Sequence, residues 1–155
     1  MFRAVYDGKI WREFQNVDGR PFLSQPGALA LMMNVDWFQV YSNSPYSVGV
    51  IYFSVLNLPR TERFKKENII VSGIMPGPKE PGVEEINHYL EPLVDDLENL
   101  WNGGFTHPIN GKHIDIMAAV LMLSMDIPAG RKIAGFLSYC AKLGCSKCLK
   151  EFKTG

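Results

Sequence analysis

Three features of this chain predict an α/β fold built on a mixed sheet. Two long apolar runs each close on an aspartate, the hydrophobic period changes from two to 3.6 between them, and compact turn signals separate the strands before the change. The runs are residues 29–41 (LALMMNVDWFQVY) and 114–126 (IDIMAAVLMLSMD). The expected architecture is a three-stranded antiparallel meander, a crossover helix, and a fourth strand returning parallel to the first.

The length of 155 residues, 46% of them hydrophobic, suits a globular domain that buries roughly 70% of the surface its unfolded chain exposes. Sixteen basic residues balance sixteen acidic ones, which excludes the strongly basic footprint of a general nucleic-acid binder. The charges are segregated, however. Residues 79–101 are acid-rich, and residues 131–153 carry Arg131, Lys132, Lys142, Lys147, Lys150 and Lys153 against Glu151 alone. Residues 1–18 lack the apolar segment of a signal peptide, and no apolar stretch reaches the ~20 residues that span a bilayer. Cys140, Cys145 and Cys148 cluster near the end of the sequence, which argues against a disulfide framework and for a reduced, intracellular setting.

Taken in order, residues 1–28 form an irregular N-terminal arm. Turn signals at Tyr6-Asp7-Gly8 and Asp18-Gly19-Arg20-Pro21 bracket a segment, residues 9–14, too short to classify. The first strand runs over about 29–39. Its odd positions, Leu29, Leu31, Met33, Val35 and Trp37, form one apolar face, while Asn34 and Asp36 lie on the other. A loop at 42–45 leads to a second strand over 46–58, antiparallel to the first, and a charged connection leads to a third over 68–75. Next, Ile86, Tyr89, Leu90, Leu93, Val94, Leu97, Leu100 and Trp101 recur at helical spacing. Tyr89, Leu93, Leu97 and Trp101 are read as helix core. Pro92 should kink or split this helix, and Gly103-Gly104 should stop it. Asn110-Gly111 is a tight-turn signal that opens the second aspartate-bearing strand. In that strand Asp126 shares a face with Ser124, as Asp36 does with Asn34. A short helix is expected over 131–141, ended by Gly144.

Asp36 and Asp126 are the candidate functional residues. A carboxylate at the tip of a buried strand is costly unless it is paired, hydrogen-bonded or bound to a cation. Adjacent parallel strands lie roughly 4.8 Å apart, so acids at matching ends come within range of divalent ions, the arrangement that holds Mg²⁺ or Mn²⁺ against a phosphodiester. The plainer alternative makes Asp36 a turn cap. For Asp126 it is an N-cap of the following helix, which the intervening Pro128 and Gly130 disfavour. No third acidic ligand stands out after Asp126. Cys145 and Cys148 have the spacing of half a zinc site, with unliganded thiols as the alternative. His88, His107 and His113 are isolated. The basic tail is read as solvated surface or as phosphate contacts, and Trp37 as core.

The strings NVDWFQ, YSVGVIYFSVLNLPRTERFKKENII, GIMPGPKEP, INHYLEPLVDDLENLW, DIPAGRKIAGF and GCSKCLKEF closely resemble the catalytic region of CACTA-type (En/Spm-like) cut-and-paste DNA transposases. The likeness extends over residues 6–152. It implies a ribonuclease-H-like catalytic core over residues 29–141, incomplete at its C-terminus, with residues 142–155 as a basic CxxC tail. It also implies Mg²⁺ or Mn²⁺ held by three acids, with Asp36 and Asp126 as the first two and the third beyond Gly155. On this resemblance the chain is a fragment of a DDE/D-type enzyme whose intact form cleaves and joins DNA strands at transposon ends. Implied partners are the transposon-end and target DNA and further transposase copies, with no membrane, and the implied location is the nucleus. The rival expectation is a non-catalytic DNA- or protein-binding module that acts through its cysteine-bearing tail.

Overall fold

The computed structural model describes residues 4–43, 45–136, 140–143, 145, 148, 150 and 151. Helix α1 spans Lys9–Glu13, and strands β1 (Asn16–Val17) and β2 (Arg20–Pro21) form a small hairpin. The long elements follow: β3 (Ala28–Gln39), β4 (Ser47–Val55), α2 (Arg60–Arg63), β5 (Ile69–Met75), α3 (Asn87–Asn102), β6 (Phe105–Ile109), β7 (Lys112–Leu123) and α4 (Ile127–Ile133). Five strands make one mixed sheet in the order β5-β4-β3-β7-β6.

The hydrogen bonds give the strand directions. Val40 N–H donates to Tyr46 O (3.2 Å) and Leu56 N–H to Ala30 O (2.7 Å), so β3 and β4 run antiparallel. Ser47 N–H donates to Pro78 O (3.0 Å), and Gly49 and Gly73 approach Met75 and Ile51, so β4 and β5 are antiparallel as well. Met117 N–H donates to Gly27 O (3.2 Å), joining β3 to β7, and since β3–β4, β4–β5 and β6–β7 are antiparallel, this is the parallel pair of the mixed sheet. The expected meander and parallel return are therefore present in a mixed α/β fold.

Two compact units divide the chain. The first comprises Met1–Met33, Phe53–Ile70 and Leu93–Met122, and the second Asn34–Tyr52, Val71–Pro92 and Leu123–Gly155. In the first unit the core joins Phe22, Ala28, Ala30, Met32, Leu56, Ala119 and Leu121, with Trp11, Phe14 and Val17 packed against it. The alanines on β3 and β7 leave room for these rings, so residues of the N-terminal arm fill this core. Phe22 and Trp101 meet with ring centroids 4.9 Å apart. Arg63 is 8% exposed and donates through Nη2 to the carbonyls of Leu56 (2.8 Å) and Leu58 (2.9 Å). In the second unit the buried apolar residues include Val35, Ile51, Met75, Ile86, Leu90 and Ala129.

Several expectations need correction. Pro92 lies inside a continuous α3. The helix is not split there, although the ring removes one backbone donor, the one that would meet the His88 carbonyl. The expected core stripe on that helix is shallower than its spacing suggested, since Tyr89 and Trp101 remain 39% and 37% exposed and only Leu90 is buried. Residues 9–14, left unclassified, supply the short helix α1. Strand β6 was not expected. It pairs antiparallel with residues 112–116 of β7 across the Asn110-Gly111 turn, whose two positive φ values (51° and 75°) suit a two-residue hairpin. The helix expected over 131–141 is, among the described residues, displaced toward the N-terminus, with Arg131–Ile133 forming the end of α4. Helix α4 ends at Ile133, and Gly135 takes φ +69°. Leu137 and Gly144, which figured in that expectation, lie outside the described residues.

Candidate functional site

Asp36 lies near the end of β3, where the strand emerges from its packing. Val35 before it is 1% exposed, whereas Asp36 itself is exposed. Its Oδ1 accepts a hydrogen bond from the following Trp37 N–H (2.9 Å). Asp126 does not lie on a strand. Strand β7 ends at Leu123, and Asp126 is the N-cap of α4, its Oδ1 accepting from Ala129 N–H (2.7 Å). This reverses the argument from Pro128. Proline in the first helical turn removes a donor that has no intrahelical partner there, so it starts α4 instead of separating the helix from its cap.

Both aspartates belong to the second compact unit. Each lies nine residues along the chain from the Gly27–Met117 hydrogen bond that joins β3 to β7, Asp36 still on β3 and Asp126 three residues beyond β7. In each carboxylate one oxygen is held by a backbone N–H, and the other accepts no hydrogen bond from the described residues. Two exposed carboxylates with one unengaged oxygen each are hard oxygen donors. Mg²⁺ characteristically takes one or two such ligands together with substrate phosphates. Among the described residues no three His, Cys, Asp or Glu side chains form a metal-binding group.

A cavity of about 260 Å³ adjoins Asp126, walled by Leu123, Met125, Ile127 and Phe136, with Arg131 also lining it. Arg131 is 8% exposed, and its guanidinium lies 5.7 Å from the Phe136 ring centroid. A larger cavity of about 350 Å³, lined by Asp18, Arg20 and Trp101 among others, belongs to the first unit and lacks paired carboxylates.

The tail residues divide. Arg131 and Lys132 sit on α4 as largely buried groups, not as solvated surface. Lys142 is exposed and pairs with Glu151 (3.1 Å), and Lys147 and Lys153 lie outside the described residues. Lys132 was missed as a site residue. Its Nζ lies 2.8 Å from Glu80 Oε2 and 5.0 Å from the Trp37 ring centroid. No local signal reveals this, because both partners are remote in sequence. Trp37 is half-buried, and its indole N–H has no acceptor among the described residues. Cys145 and Cys148 bring their sulfurs to 3.3 Å, and Cys140 is exposed. His88, His107 and His113 are all exposed.

Residues 1–154 match the model described as transposase family tnp2, and the chain belongs to that transposase family. No curated protein matches it. Membership of a transposase family implies DNA as a partner. Among the described residues no helix is long and apolar enough to cross a membrane.

Proposed function

We propose that this chain is part of the catalytic region of a CACTA-type cut-and-paste transposase, with a ribonuclease-H-like core in which Asp36 and Asp126 hold Mg²⁺ or Mn²⁺ at the phosphodiester to be cut. The observation that supports this reading is that both carboxylates belong to one compact unit, each nine residues along the chain from the hydrogen bond joining β3 to β7 and each with one oxygen held by a backbone N–H. A divalent ion bound there supplies a polarised nucleophile, water or a 3′ hydroxyl, and neutralises the leaving oxygen. The residues of the chain orient the donors. The Trp37 and Ala129 amides hold each Oδ1, leaving each Oδ2 directed by the same constraint.

The third acid belongs, on the family likeness, to sequence after the cysteine pair, and so does the rest of a zinc site begun by Cys145 and Cys148. Two Zn–S bonds of ~2.3 Å in a tetrahedral site set the sulfurs about 3.8 Å apart, so the pair, at 3.3 Å here, would open slightly to take the ion. A nuclear location and a transposase homo-oligomer follow from the same likeness.

The test is a Mn²⁺ titration in the presence of a DNA duplex, followed through the free-ion EPR signal. Asp36→Asn and Asp126→Asn should each weaken binding by at least about tenfold, the expected consequence of losing one anionic ligand. Equal titrations in both variants and the native chain refute the metal reading. DNA binding that needs no metal, survives both substitutions and falls steeply with salt favours the binding-module alternative.

A further inference from the structure

We infer that Lys132 is a positioning residue, a strut that fixes Asp126 relative to Asp36. The link can be traced atom by atom within the second unit. Asp126 caps α4, and Lys132 lies on that helix. Its ammonium stands 5.0 Å from the centroid of Trp37, the residue directly after Asp36 on β3, and 2.8 Å from Glu80 Oε2. The Lys132 side chain is only 16% exposed, whereas a lysine serving solubility keeps its head group in water.

Burial of that amine is offset on two sides, by the Glu80 carboxylate and by the negative face of the indole. Both partners are therefore needed, and together they determine where the amine sits. The ring cannot drift to meet it. Gly49 leaves the space Trp37 occupies, since a Cβ there would lie 2.5 Å from Trp37 Nε1. Trp37 Nε1 finds no acceptor among the described residues, so no hydrogen bond anchors the indole edge. Contact with Gly49 and the cation are what place the ring. Through Trp37 the strand carrying Asp36 is thus tied to the helix capped by Asp126. A seven-residue helix has little stability of its own, so its orientation depends on such side-chain ties.

The consequence for metal binding rests on the reading of the two aspartates given above, whereas the mechanical consequence does not. The experiment keeps the two apart. Amide hydrogen exchange is measured by NMR on the metal-free chain for Ala129, whose N–H is held by Asp126, and for Ala30, whose N–H donates to Asn57 Oδ1 in the first unit. Lys132→Met should raise Ala129 exchange about tenfold, between the few-fold of an exposed cation–π contact and the roughly thirtyfold of a desolvated one. Ala30 should be unchanged, and Lys132→Arg should restore protection. Unchanged Ala129 exchange in Lys132→Met overturns the strut, and so does an equal rise at Ala30, which makes Lys132 an ordinary stability residue.

A Mn²⁺ titration then supplies a sign. A lysine acting only by its charge repels the ion, so Lys132→Met would tighten binding, whereas loss of a strut weakens it. Tighter binding overturns the inference. If native Mn²⁺ binding is no stronger than that of Asp36→Asn, the metal reading falls, and the strut is decided by the exchange data alone.

Discussion

Asp126 carries two roles that one series of substitutions separates. As N-cap it accepts the Ala129 N–H at 2.7 Å, an interaction worth ~1 kcal/mol when such a residue is replaced by alanine. Its negative charge at the start of α4 adds ~0.3 kcal/mol, the lower end of the range, because the side chain is exposed. Asp126→Ala removes both, about 1.3 kcal/mol, which for a chain of this length lowers Tm by roughly 3–5 °C. Asparagine caps as well as aspartate, so Asp126→Asn loses only the charge contribution and Tm falls by about 1 °C. Mn²⁺ binding is expected to fail in both. The assay is thermal unfolding followed by circular dichroism, in parallel with the Mn²⁺ titration. An asparagine variant as unstable as the alanine variant refutes the capping argument. An asparagine variant that retains full Mn²⁺ affinity refutes the ligand role and leaves Asp126 as a cap alone.

Gly49→Ala places a methyl 2.5 Å from Trp37 Nε1 and 2.7 Å from Met75 Cε. The overpacking should cost about 1–3 kcal/mol, seen as a reduced Tm and as a change in tryptophan emission as the Trp37 ring is displaced. For the cysteine pair, metal analysis of a longer protein that carries the remaining ligands, purified without chelator, is expected to find zinc that Cys145→Ser and Cys148→Ser each reduce at least tenfold, and zinc content unchanged in both variants removes that proposal.

The large elements were legible because they obey simple periodicities. β3, β4 and β5 follow runs of apolar and β-branched residues between turn signals, and α3 follows its 3.6 repeat. Some details escaped because one residue type serves opposite ends of different elements. In the sequence Pro128 stands between Asp126 and the expected helix as a bar to capping, yet in the first turn of α4 it is a helix starter. β6 was missed because FTHPI is short, contains proline and is exposed throughout, which leaves neither period nor burial to detect. Such a strand survives at a sheet edge, where proline costs no ladder bond. The positions of Asp36 and Asp126 were legible as acids closing apolar runs. Their surroundings were not, because Lys132, Glu80 and Trp37 come from three distant segments and nothing local marks one lysine of a basic stretch as buried.

The way each aspartate is held bears on what the proposed site can do. A carboxylate on a free rotamer must lose conformational freedom whenever it takes up a ligand, and a metal must offset that loss with its own binding energy. Here the Asp126 side chain is already fixed by Ala129 N–H as the helix forms, and Asp36 is fixed by Trp37 N–H. The ordering is thus provided by folding, and each second oxygen is left available in a defined direction. Such prior placement is what distinguishes a site that holds its geometry from one assembled by the ligand.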